Sequence, residues 1–116
     1  MAITDLDHIY VETHDWDASV AFWEGLGLSF ASRWGSEGHR VGRLEAGGAA
    51  VVLAEAGLDA VPAINVFFSL NAPDAYAMTE AVKVVTPLEP THWDTRWIRV
   101  EDPEGRVHCL EAHSEE

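Results

Sequence analysis

The sequence predicts an α+β fold of two βαβββ modules, and three observations carry the prediction. A strand with two differently dressed faces runs into a capped helix over Leu6 to Leu28. The order strand, helix, three strands then recurs once along the chain, the kind of internal period to be sought before any fold is assigned. Between the two runs, Ala56 to Ala63 carries Gly57 and Pro62 and breaks both patterns, as a linker does. The modules are expected at about residues 1–56 and 63–116, forming one domain.

In the first strand, alternation puts Leu6, His8, Tyr10 and Glu12 on one side and Ile9 and Val11 on the other. Asp15 is placed to N-cap the helix that follows. Ala18, Ala21, Phe22, Gly25 and Leu26 fall at i, i+3, i+4, i+7 and i+8, an apolar stripe expected to cover the Ile9 and Val11 face. Gly27 supplies the left-handed residue that ends the helix. Strands are then expected over Phe30 to Trp34, His39 to Glu45 and Ala49 to Glu55, separated by turns at Ser36 to Gly38 and Ala46 to Gly48.

In the second half, Ala63 to Leu70 is a strand with Asn65, Phe67 and Ser69 on one face. A helix is expected from Asn71 or Asp74 through Lys83, burying Ala75, Met78 and Val82. Strands around Val84 to Leu88, Thr95 to Glu101 and Arg106 to Ala112 complete the module. Neither half alone can bury both faces of its sheet. Paired modules would carry helices outside and curve a mixed sheet around a cleft lined by His8, Tyr10, Glu12, Asn65, Phe67 and Ser69.

Bulk composition narrows the function classes. Twenty acidic residues against seven basic ones give a formal charge of −13, which argues against nucleic acid or an anionic membrane as partner and would attract a cationic ligand. No stretch approaches the roughly 20 apolar residues of a membrane span, and no basic region precedes an apolar run at the N-terminus. A cytoplasmic protein is expected. A single cysteine, Cys109, excludes an intrachain disulfide framework. Its neighbour His108 points to the opposite face of the strand, so the two form no nucleophile and base pair, and Cys109 reads as a small buried thiol. Five tryptophans in 116 residues offer ring faces for a cation or a planar heterocycle. Trp23 and Trp16 read as packing residues of the helix.

The stretch DHIYVETHDWDASVAFWEGLGL, with Phe22-Trp23 followed by Leu26-Gly27-Leu28, and DPEG at Asp102 to Gly105 resemble the vicinal oxygen chelate superfamily, which includes glyoxalases, bleomycin-resistance proteins and extradiol dioxygenases. The resemblance runs through essentially the whole chain and implies the two-module fold more firmly than the chemistry. Metal-using branches place a His in the first strand, a second ligand early in the strand that opens the second module, and a Glu near the end of the last strand. His8 matches the first position, Asn65 is a poor donor at the second, and Cys109 stands at the Glu position, with Glu111 two residues on and Glu55 as a further donor.

The preferred expectation is therefore a binding protein without a cofactor, similar to the bleomycin-resistance branch: a homodimer that sequesters a cationic or aromatic small molecule, as in antibiotic resistance. Tyr10, Glu12, Trp34, Phe67, Trp93, Arg96, Trp97 and Cys109 are the ligand-binding candidates. THWDTRW at residues 91–97 resembles the Trp-Gly-Arg segment of that branch, without its glycine. The alternative is a lyase, isomerase or dioxygenase holding a divalent Zn, Ni, Mn or Fe on His8, Glu111 and Glu55 as a Lewis acid. A structural or partner-binding module is the third class.

Overall fold

The computed structural model describes residues 2–75 and 79–113. The elements are β1 (Ala2–Thr13), α1 (Trp16–Gly25), β2 (Ser29–Trp34), β3 (Val41–Ala46), β4 (Ala49–Glu55), β5 (Ile64–Asn71), a one-turn 3₁₀ helix (Pro73–Ala75), β6 (Lys83–Pro90), β7 (Thr95–Glu101) and β8 (Val107–His113). The fold is α+β. Every strand expected from the sequence forms, with ends within a few residues of their expected places except that β1 begins earlier.

The chain gathers into two compact units, His8–Ile64 on one side and Met1–Asp7 with Asn65–Glu116 on the other. The division does not follow the expected module boundaries, because β1 contributes to both units. Its first half joins the C-terminal unit, where Thr4 Oγ1 donates to Ser69 O at 3.4 Å.

In the unit His8–Ile64 the strand order is β2-β3-β4-β1, with β1 parallel to β4 and the other pairs antiparallel. Asp15 caps α1 by accepting from Ala18 N at 3.1 Å, and Gly27 ends it with φ +105. The helix covers the expected face of the sheet, but with a different side of itself. Trp16, Val20 and Trp23 pack on Leu44, Leu53, Val11, Leu28 and Phe30, whereas Phe22 is 57% exposed and Leu26 61% exposed. Both stripes of α1 are apolar, and the one with two indoles fills more core volume, so it wins the inward position. Trp16 stacks on Phe30 at 6.3 Å between ring centroids, and Phe30 in turn lies over Gly42, where a β-carbon would collide with its ring.

In the C-terminal unit the order is β5-β8-β7-β6, parallel between β5 and β8 and antiparallel onward. Leu70, Ile98 and Leu110 form its core with Phe68, Leu88 and Val100. The expected second α-helix is corrected: among the described residues a 3₁₀ turn forms at Pro73–Ala75, residues 79–82 make a turn, and β6 already begins at Lys83. Tyr76, Ala77 and Met78 of that expected helix lie outside the described residues. Beyond that turn the β-branched run Val84-Val85-Thr86 favours an extended chain, and the strand that contains it begins at Lys83.

Candidate functional site

The strongest constellation lies on one face of the C-terminal sheet. Alternation along β5, β7 and β8 sends Phe67, Trp97, Arg99, Cys109 and Glu111 to the face opposite the Leu70–Ile98–Leu110 core. The register pairs Phe67 with Cys109, Trp97 with Glu111 and Arg99 with Cys109. At its centre is Glu111, only 3% exposed. Its Oε2 accepts from the Trp93 indole N–H at 2.6 Å and from the Thr95 hydroxyl at 2.8 Å, while His113 Nε2 stands 3.8 Å from Oε1. The two donors to Oε2 are neutral, so they hydrogen-bond that oxygen without cancelling the carboxylate's charge.

Aromatic rings surround it. Trp97 meets Trp93 edge to face at 5.2 Å and Phe67 at 6.2 Å, and its indole N–H donates to Glu89 Oε2 at 2.9 Å. The Arg99 guanidinium lies over the Trp97 ring at 5.0 Å and donates through Nε to Thr86 Oγ1. Cys109 is 4% exposed, and burial pushes its thiol up to about 12, so it is neutral at physiological pH and is neither a ready nucleophile nor a ready metal ligand. Sequence reasoning found Phe67, Trp93, Trp97, Cys109 and Glu111 but missed Thr95. The signal was available: Thr95 lies two positions before Trp97 on the same strand and so shares its face.

The loop that carries Trp93 is held by its own hydroxyls. Thr91 Oγ1 is 2.8 Å from Thr95 Oγ1 and accepts from the Thr95 and Trp93 backbone N–H groups, while Asp94 takes a left-handed φ of +73. Because Thr95 donates its proton to Glu111, Thr91 is the donor between the two hydroxyls. The chain of donors runs Thr91 to Thr95 to Glu111.

Arg96 does not join this face. It pairs with Ala112, one residue out of phase with Trp97, and points to the other side, where its Nη1 and Nη2 donate to Asp74 at 3.0 and 3.2 Å.

In the unit His8–Ile64, the face away from α1 carries His8, Tyr10, Arg43 and Trp34. His8 is 7% exposed, with Nδ1 3.5 Å from Arg43 Nη1, and Arg43 Nε donates to Glu45 at 2.6 Å. Burial, then the neighbouring Glu12, raises the Tyr10 phenol above its ordinary range. Trp34 is 52% exposed at the end of the edge strand β2. Glu12, expected to meet a ligand, is instead committed to the linker: its Oε1 accepts from Ala63 N at 3.0 Å and its backbone N–H donates to Ala63 O.

Glu55, expected as a metal donor beside His8, is on the helix-covered face, since it pairs with Thr13 while His8, Tyr10 and Glu12 alternate to the other. There it makes a two-pronged ion pair with Arg40, at 2.9 Å through each oxygen, which holds its carboxyl near 2, well below the usual carboxylate range. Among the described residues no three of His, Cys, Asp and Glu stand close enough to hold a metal ion. These donors therefore do not fit the implied divalent metal: Glu55 is turned away, Cys109 keeps its proton, and Glu111 gives one oxygen to two protein donors. Among the same residues no helix is long and apolar enough to cross a membrane.

The model of the Glyoxalase/Bleomycin resistance protein/Dioxygenase superfamily matches residues 5–107. The chain belongs to that superfamily. Solved structures with a similar fold include a methylmalonyl-CoA epimerase from Mycobacterium tuberculosis, 18% identical, with a TM-score of 0.72 over 97% of this chain and 90% of that one. A hypothetical protein from Bacillus halodurans C-125 is 14% identical, with a TM-score of 0.69 over 96% and 95% of the two chains. A superfamily member from Vibrio splendidus 12B01 is 15% identical, with a TM-score of 0.64 over 90% and 96%. At these identities the likeness is one of fold. A search of curated proteins gave no match.

Proposed function

We propose that this superfamily member is a small-molecule binding protein, and that its ligand carries a positive charge on or beside a flat ring. The observation that supports this most directly is the buried Glu111 carboxylate, held by neutral donors next to the Phe67, Trp93 and Trp97 rings. Such a group keeps its charge for an incoming cation, and the indoles add ring faces and edges for stacking. The net charge of −13 acts in the same direction at long range. Binding without chemical change, as in sequestration of a toxic compound, needs no cofactor. A homodimer working in the cytoplasm is part of the same reading.

Fluorescence titration tests it. A planar N-methylquinolinium cation is expected to quench tryptophan emission saturably, with affinity about tenfold lower in Glu111→Gln, the loss of one charge-assisted contact, and lower still in Trp97→Ala. Quenching that does not saturate, or that is unchanged in both variants, overturns the reading. A calorimetric titration of EDTA-treated protein with Zn, Ni, Mn and Fe(II) salts supplies the opposite arm. Binding of one metal per chain that is lost in His8→Ala would replace sequestration with metal chemistry.

A further inference from the structure

At the Thr95 and His113 end of the same strands is a depression of about 750 Å³, within the size range of small-molecule sites. Leu70, Pro73, Pro90 and Ala112 give it apolar walls, and Arg96 and Asp94 bring one cation and one carboxylate to its lining. Two non-glycine residues among those described have left-handed backbones, Ala72 with φ +46 and Asp94 with φ +73, and both line this depression. Such conformations cost energy and persist where the surroundings impose them, commonly at ligand sites.

Arg96 is held in place by Asp74, which takes two of the five guanidinium N–H donors and leaves three to reach another acceptor. Asp94, two residues earlier and in the same lining, is exposed. His113 is the remaining titratable group in the lining.

We propose that the depression is a second binding site, bordering the Glu111 network through Thr91, Thr95 and His113, for a small zwitterion of the α-amino-acid type with an apolar side chain. Arg96 takes the carboxylate, Asp94 the ammonium, and Leu70, Pro73, Pro90 and Ala112 the side chain. The site contains both signs of charge, so neither a simple anion nor a simple cation satisfies it.

The test uses L-phenylalanine with two analogues that each lack one charge, phenylalaninamide and N-acetylphenylalanine, followed by amide NMR shifts in the whole protein. L-Phenylalanine is expected to shift Leu70, Thr91, Asp94 and Ala112 saturably, and each analogue to bind about tenfold more weakly, the loss of one charge-assisted contact. Arg96→Gln should weaken L-phenylalanine by the same factor and leave phenylalaninamide unchanged. Asp94→Asn, which tolerates the left-handed backbone, should do the converse with N-acetylphenylalanine. Equal binding of the three compounds to the unaltered protein, shifts confined to the Trp97 face, or no saturable shift with any of them overturns the proposal. These outcomes are read on the unaltered chain and hold even if a variant fails to fold.

Discussion

Replacing Thr95 by valine keeps the shape of the side chain and deletes the hydroxyl that links Thr91 to Glu111. Glu111 Oε2 is then left with the Trp93 indole alone, in a carboxylate only 3% exposed. A hydrogen bond to a charged group contributes about 1.5–3 kcal/mol, and Thr91 recovers part of its own loss through its 3.2 Å contact with Thr95 O. The expected net destabilisation is about 2–3 kcal/mol. For a domain of this size that corresponds to a fall in Tm of roughly 8–12 °C. Trp93→Phe removes the other donor, but Trp93 is 45% exposed and water can take the place of its N–H, so about 1 kcal/mol is expected. Urea unfolding of both variants measures the order. A Thr95→Val loss below about 0.5 kcal/mol, or one smaller than that of Trp93→Phe, would refute the idea that Glu111 is enclosed on the Thr95 side.

Three other outcomes follow from the packing and the charges. Gly42→Ala places a methyl group against the Phe30 ring and within 3.2 Å of Arg33 Cγ, so a loss of about 1–3 kcal/mol is expected by thermal unfolding. Trp16→Ala should cost about 3–5 kcal/mol, while Phe22→Ala on the exposed stripe should cost less than about 1; the reverse order would mean that α1 faces the other way. The Glu55 carboxyl is held near 2, below its unfolded value, and Asp102 lies well below the usual range because His108 and then the Arg106 backbone bond it. Both folded values are lowered, so their stabilisation is full above the ordinary carboxylate range and is lost as pH falls toward 2. Denaturation between pH 6 and pH 3 should show a steep acid loss that flattens in Glu55→Gln combined with Asp102→Asn.

The strands were legible because alternation is a strong signal over six or seven residues, and β4 and β7 begin and end where the pattern does. The side of α1 that faces inward was not, since Ala18, Ala21, Phe22, Gly25 and Leu26 have the same helical spacing that a core stripe would have. Volume decided between the two stripes, and spacing carries no information about volume. Glu12 illustrates a different limit. Its facing was read correctly, but its capture by Ala63 depends on the path of a linker fifty residues away, which no local pattern encodes. Arg96 was grouped with Trp97 by adjacency in sequence, although on a strand adjacency is what separates two side chains. The Glu111 network needed the β7–β8 register, which brings residues 16 and 18 positions apart into contact.

The sharing of β1 between the two units has a consequence for synthesis. His8–Ile64 is a continuous segment, so the contacts inside it do not depend on chain made later. Ala2–Asp7, made before it, belongs with strands that are made last. Residues 2–7 therefore wait for β5 and the strands that follow before their native neighbours exist, while Ile3 and Leu6 remain exposed even in the complete fold. For about as long as residues 65–113 take to be made, another strand can compete for that edge.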